Sequence, residues 1–185
     1  MRIGVLMGGR SPEREISLKT GKNILAGLIR AGYDAVGIDA KETVVEEMKR
    51  ENIDLAFLAL HGSLGEDGTI QGLLEFLNIP YTGAGVLGSS LAMNKVATKR
   101  VLIANGIKTP DFYVVNSNLL EEADGMEKIA QIEKESGVDL PVVVKPSVGG
   151  STIGTHIIRK REDLADAYRD AAKYCNEILV EKFIA

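Results

Sequence analysis

Four stretches of the chain set reactive side chains beside glycines, where backbone amides and side chains can approach one ligand together. The first runs Gly8-Gly9-Arg10-Ser11-Pro12-Glu13-Arg14-Glu15-Ile16-Ser17. Two glycines turn the chain after an apolar run. Ser11 suits a helix N-cap, Pro12 the first helical position and Glu13 the first turn. Those placements explain the segment as structure alone. As a site, it would aim the Glu13 carboxylate at a cationic substrate group. The spacing falls short of G-x-G-x-x-G, which disfavours a dinucleotide fold. The second stretch is His61-Gly62 followed by Glu66-Asp67-Gly68-Thr69. It follows the apolar run LAFLAL, residues 55–60. Ligands of open α/β sheets gather at the carboxyl ends of strands, so Glu13 and His61 fall on one edge. The plainer alternative is a polar turn, with His61 bonded to backbone and a helix capped by Asp67 or Thr69.

The third stretch is KPSVGGSTIG, from Lys145 to Gly154. Lys145 ends an apolar strand, and Gly149, Gly150, Ser151 and Thr152 follow. Glycines let amides reach phosphate oxygens, hydroxyls add donors, and a lysine supplies charge. It is not a Walker A loop, because no Gly-Lys-Ser/Thr precedes a helix. A flexible hairpin is the structural alternative. Lys95 would be a second phosphate-facing cation or a solvated one. The fourth stretch is Glu181-Lys182-Phe183-Ile184, where alternation puts Glu181 and Phe183 on one face and Lys182 on the other. A carboxylate beside backbone amides suits the edge of an adenine; an ordinary charged edge strand is the alternative.

The elements that must position these residues follow from periodicity. Strands are expected at 2–7, 34–38 and 55–60, with helices at 15–31, 43–50 and 69–77. The continuous apolar run at 55–60 reads as a parallel strand buried on both faces. This rhythm predicts an α/β fold whose N-terminal part is an open parallel sheet with helices on both faces. Residues 83–90 are rich in glycine and serine, and no element is assigned there. A helix at 94–105, strands at 112–115, 140–145, 154–159 and 177–183, and helices at 126–136 and 161–174 make an α+β second part. The expected boundary lies near Asn94, giving domains 1–94 and 95–185.

Composition narrows the classes. With 45% hydrophobic and 26% charged residues the 185-residue chain can bury a core. A net charge of −4 argues against a general nucleic-acid binder. No apolar stretch is long enough to span a membrane, and no leader pattern opens the chain. Cys175 is the single cysteine, so no intrachain disulfide is available and a cytoplasmic location is expected. The chain stops one residue after an apolar strand, which reads as truncation, cleavage or a split from a second piece.

Taken together, GGRSPEREIS, LAFLALHGSLGEDGTIQGLLEFLNIPYTGAGVLGSSLAMNK, LPVVVKPSVGGSTIG and ILVEKFI resemble the D-alanine–D-alanine ligases of the ATP-grasp superfamily. The pieces occur in that family's order and cover nearly the whole chain. The resemblance implies a pre-ATP-grasp substrate domain, then an incomplete α+β ATP-grasp lobe. It implies that ATP phosphorylates a first D-alanine and that the amine of a second attacks the acyl phosphate. The product, D-alanyl-D-alanine, serves peptidoglycan synthesis. It further implies that Glu13 holds the first substrate's ammonium, that Ser151 bonds Glu13 in the closed site, and that His61 lies near the substrate carboxylate with Glu66 in support. Lys95 and Lys145 would contact the phosphates, with Gly149, Gly150, Ser151 and Thr152 as the phosphate loop. Glu181 and the backbone of Lys182, Phe183 and Ile184 would read adenine. A homodimer through the N-terminal domain is implied. So is Mg2+ or Mn2+, with no metal ligand expected within these 185 residues.

One departure stands out. The family's loop commonly has a Glu-Gly-Ser-Ser core, and here Gly149 replaces the glutamate, which would alter loop closure. Two alternatives remain at this stage: a non-catalytic fragment or half of a split enzyme, and a D-alanine–D-lactate ligase.

Overall fold

A computed structural model of the chain describes residues 1–150 and 152–185, so Ser151 lies outside the described residues. The chain divides into two compact units, Met1–Ala92 and Met93–Ala185. The first unit contains β1 (Arg2–Met7), α1 (Arg14–Arg30), β2 (Asp34–Asp39), α2 (Val44–Glu51), β3 (Leu55–Leu58) and α3 (Thr69–Phe76), and α4 (Val86–Met93) closes it. Its three strands are parallel in the order β2-β1-β3. Alternation along β1 sends Leu6 to one face, with Ile38, Met48, Ile70 and Leu74. It sends Val5 and Met7 to the other, with Leu18, Ile24 and Leu25 of α1. Helices therefore cover both faces, as the alternating pattern predicts.

Four local expectations change. The strand buried along nearly its whole length, from Ile3 to Met7, is β1, not the run at 55–60. β3 lies at the edge of the three-stranded order, where only Ala56 of its four residues is buried. Beyond it, a single bridge, Ala56 to Tyr81, replaces a neighbouring strand. Ser11 is not the N-cap. α1 begins at Arg14, and Ser11 sits in the preceding turn, where its Oγ accepts from the Glu13 amide at 3.1 Å. Gly68, with φ +94°, takes the N-cap position of α3, while the Asp67 carboxylate serves the helix start from one residue further out, accepting from the Thr69 amide at 3.0 Å. Finally, α4 forms where glycine and serine dominate. Its serines are both engaged, Ser89 Oγ donating locally to Ala84 O at 3.3 Å and Ser90 Oγ donating to Asp67 O, 23 residues earlier, at 2.7 Å.

The second unit contains α5 (Lys95–Ala104), β4 (Phe112–Asn116), α6 (Gly125–Ser136), β5 (Val142–Pro146), β6 (His156–Ile158), α7 (Leu164–Ala172) and β7 (Glu177–Lys182), with short 3-10 turns at Ser117–Glu121 and Arg161–Asp163. The four strands are antiparallel in the order β4-β7-β5-β6. β6 is shorter than the expected 154–159 because Gly154 turns left-handed at φ +68°, and Thr155 is held in a turn by Thr152 O. One sheet face carries Val115, Val142, Val144, Ile178 and Val180 into a core with Ile129 of α6 and Tyr168 of α7. α7 buries Leu164, Ala167, Tyr168 and Ala171, the i, i+3, i+4, i+7 stripe of an amphipathic helix. The buried hydroxyls of Tyr113 and Tyr168 satisfy each other at 2.9 Å. Among the described residues no helix is long and apolar enough to cross a membrane.

The placement of β1 at the centre has a measurable consequence. Leu6→Ala, at a site with 0% exposure, is expected to destabilise the chain by about 3 kcal/mol, and Leu58→Ala on β3 by about 1 to 2 kcal/mol. Urea unfolding of the two variants checks this; a larger loss from Leu58→Ala would contradict the edge position of β3.

Candidate functional site

In the first unit the sequence motifs converge where β1 and β3 end. The Ser17 hydroxyl, wholly buried on α1, donates to Ala59 O at 2.7 Å and accepts from Gly8 N at 2.8 Å. It ties the ends of both strands to the helix. Ser11 Oγ donates to His61 O at 2.7 Å, so the loop after β1 is fixed to the loop after β3. Glu13 lies directly over Gly62. A Cβ at Gly62 would stand 2.5 Å from Glu13 Oε2, and the φ of +73° there also favours glycine. Among the described residues the Glu13 carboxylate has no hydrogen-bond partner, so it is placed but unspent. The Glu66 carboxylate is engaged, accepting from the Gly62 amide at 2.7 Å. His61 Nε2 lies 3.1 Å from Thr20 Oγ1 on α1, a side-chain bond rather than the backbone bond of the plainer reading.

Two residues that the sequence did not single out hold this edge. Arg14 makes a two-pronged pair with Asp39, at 2.7 and 2.6 Å, and also donates to Gly9 O at 2.9 Å. Asp39 in turn accepts from Gly9 N at 3.2 Å and pairs with Lys41 at 3.0 Å. The Arg14 bond outweighs the cost of burial and, with Lys41 and the Gly9 amide, holds the Asp39 carboxyl well below the ordinary range. A cleft of about 190 Å³ adjoins this loop, with Leu60, Ile70 and Leu73 among its lining residues.

In the second unit the residues of the third and fourth stretches meet on the face opposite the main core. Strand register places Phe112 and Val143 beside Glu181, and Lys145 two residues beyond Val143 shares that face. Lys145 Nζ donates to Glu181 Oε1. Lys99, from α5, donates to Glu181 Oε2 at 2.8 Å and to Thr109 Oγ1 at 2.7 Å. Burial raises the Glu181 carboxyl, but these two lysines prevail and keep it below its usual range.

Lys95 is neither free nor simply solvated. Its ammonium donates to Gly149 O at 2.7 Å and Pro146 O at 3.2 Å, and its amide donates to Ser147 O at 2.7 Å. Asn94 bridges Val148 and caps the helix by accepting from Ala97 N at 2.9 Å. The start of α5 is thus laced to the glycine-rich loop. Burial, with the nearby Lys145 charge, lowers the Lys95 ammonium. Gly149, at φ +98°, has open space where a Cβ would stand; Gly150 and Thr152 are exposed.

The fourth stretch is only partly available for base recognition. The amides of Lys182 and Phe183 already donate to Asp111 O at 2.9 Å and Pro141 O at 3.0 Å. Lys182 is exposed, the Phe183 ring lies 5.5 Å from the Arg159 guanidinium, and the Ile184 amide has no partner among the described residues. The sequence missed Lys99, although its position one helical turn after Lys95 was a usable signal. Among the described residues no group of three or more His, Cys, Asp or Glu side chains could hold a metal ion.

Two family models match the chain, one within each unit. Residues 39–84 match the model for the D-ala D-ala ligase N-terminus, and residues 101–185 match that for the D-ala D-ala ligase C-terminus. The D-alanine–D-alanine ligase of Desulforamulus reducens is 50% identical over 100% of the chain and 59% of its own length. That of Pelotomaculum thermopropionicum is 51% identical over 100% of the chain and 57% of its length. Among solved structures, the D-alanine–D-alanine ligase of Bacillus anthracis superposes with a TM-score of 0.85 at 38% identity, covering 100% of the chain and 58% of that protein. The same enzyme complexed with ATP gives 0.83 at 36% identity, covering 100% and 57%. The chain thus spans under three fifths of the length of these relatives.

The Arg14–Asp39 pair generates a pH prediction. Asp39 has a lower pKa folded than unfolded, so its stabilisation is fully present above the unfolded value of about 4 and is lost as pH falls toward the folded value. Asp39→Asn is expected to cost about 2 kcal/mol at pH 7 and much less near pH 2. Denaturant midpoints at the two pH values read the difference; equal losses at both would contradict the pairing.

Proposed function

The chain belongs to the D-alanine–D-alanine ligase family, and on that premise we propose that it supplies part of the machinery that joins two D-alanines at the expense of ATP. The first unit corresponds to the substrate domain and the second to one lobe of the ATP-grasp domain. The observation that carries this reading is the convergence of Lys145, Lys99 and Glu181 on one sheet face, with Lys95 laced to the glycine-rich loop.

Glu13 is the anchor for the ammonium of the first D-alanine. A carboxylate held against Gly62, with no hydrogen-bond partner among the described residues, gains a charge-assisted bond when an ammonium arrives. His61 stands at the same strand edge for the substrate carboxylate, with Glu66 fixing the Gly62 loop between them. Lys145 and Lys95 lie at the glycine-rich loop, where their charge would stabilise the phosphates of ATP. For Lys95 this means exchanging loop carbonyls for phosphate oxygens. The Ile184 amide, without a partner among the described residues, is the group left to meet the base, beside the Glu181 carboxylate that Lys145 and Lys99 hold in place. In the reaction, ATP phosphorylates the carboxylate of the first D-alanine. The amine of the second attacks the acyl carbon, and phosphate leaves as the peptide bond forms. The metal that the family implies finds no cluster of carboxylates among the described residues, so this chain's own contribution is binding, orientation and lysine charge. The product belongs to peptidoglycan synthesis in the cytoplasm. Self-association through the first unit completes the reading, with Phe76 and Leu87 exposed there.

Two measurements test the two units separately. Calorimetric titration with a non-hydrolysable ATP analogue should show binding that Lys145→Met weakens by about tenfold or more. Unchanged affinity would remove Lys145 from the phosphate site. D-alanine should shift the backbone resonances around Gly62 in the wild-type chain and not in Glu13→Gln; identical titrations would remove Glu13 as the anchor.

A further inference from the structure

Lys99 is the only charged side chain buried among the described residues. Its ammonium is fully occupied, by Glu181 Oε2 at 2.8 Å, by Thr109 Oγ1 at 2.7 Å and by the Phe112 ring with its centroid 4.9 Å away. It is too enclosed to reach a ligand. Lys145, on the other oxygen of the same carboxylate, is more open, with 21% of its side chain exposed. One carboxylate is therefore divided between a sealed cation and an accessible one.

We propose that Lys99 is a positioning residue, the dedicated counter-ion of Glu181 that leaves Lys145 available to a polyphosphate. The inference rests on the reading that this face takes the phosphates of a nucleotide, and it goes further by giving a task to a residue that touches no ligand. The physical argument is one of charge. Two ammonium groups, Lys99 and Lys145, bond one carboxylate, and a third, Lys95, held by loop carbonyls, is close enough to feel its charge. Because Lys99 takes half of that carboxylate, Lys145 can turn toward an anion without leaving a buried charge unpaired. Remove Lys99, and both oxygens of Glu181 fall to Lys145. Binding a phosphate would then require breaking the only ion pair of a half-buried carboxylate. The surplus positive charge that attracts the anion would also shrink.

The test uses the whole 185-residue chain and inorganic tripolyphosphate, which has no base and so isolates the cations from adenine recognition. Affinity is measured by calorimetry at fixed ionic strength. Wild type is expected to bind and Lys99→Met to bind about tenfold more weakly. Lys99→Arg should stay near wild type. The decisive variant is Lys99→Met combined with Glu181→Gln, which removes the counter-ion together with the charge it serves. Its affinity should return to within about threefold of wild type, because Lys145 is no longer claimed by a carboxylate. If Lys99 merely packs, the double variant binds as weakly as the single one or worse, and the proposal is overturned. Should Lys99→Met alone fail to fold, thermal melting will show it, and the folded double variant still decides. No binding by the wild-type chain would instead defeat the nucleotide reading itself.

Discussion

A carboxylate drawn half out of water must be given cations, and Glu181 imposes that requirement on the second unit. Its two oxygens are met from two directions, by Lys145 on the adjacent strand and by Lys99 on α5. The Lys99 bond fixes how α5 is turned about its axis. Lys95, four residues earlier, lies on the same helical face and is thereby delivered to the carbonyls of Pro146 and Gly149. Rotating α5 to expose Lys99 would leave Glu181 one partner short and would also withdraw Lys95 from the loop. The geometry of the glycine-rich segment is thus coupled to an ion pair on the sheet face.

The first unit meets a different constraint with the same economy. Glycines after β1 and β3 turn too sharply to satisfy their own backbone groups, so side chains do it for them. Ser17 serves Gly8 and Ala59, Arg14 and Asp39 serve Gly9, and Glu66 serves Gly62. Each of these polar groups is spent on holding the loops. Glu13, against Gly62, is the carboxylate left over among the described residues. A preorganised edge with one unspent anion is suited to select an ammonium, because the cost of ordering the loop has already been met within the fold.

Much of this was legible in the residues. The β-α alternation follows from apolar runs and helical stripes, and it placed the strands and helices of both units to within a few residues. The GGRSPEREIS and KPSVGGSTIG stretches announced two loops that the structure builds from the expected strand ends. The errors share a cause. β3 reads as apolar throughout, yet burial depends on which strands flank it, and it lies at the edge. Ser11 has the right chemistry for a cap, but its hydroxyl is engaged by His61 O and the Glu13 amide. α4 forms in a glycine–serine stretch despite poor intrinsic propensity, with Ser89 bonded to Ala84 O and Ser90 to the distant Asp67 O.

Sequence alone therefore determined the kinds of groups present and their order: a carboxylate after the first strand, a histidine after the third, lysines around a glycine-rich loop, and an acid on the last strand. Tertiary structure decided which of them are free. Glu66, Lys95 and the amides of Lys182 and Phe183 are committed to holding the fold, whereas the Glu13 carboxylate has no hydrogen-bond partner among the described residues. It also brought in Lys99, Arg14 and Asp39, whose roles arise from partners 82 and 25 residues away along the chain. Side-chain type fixes what a group is able to bond, but only chain folding sets which partner arrives first, and a group already bonded in the fold must break that bond before it can serve a ligand.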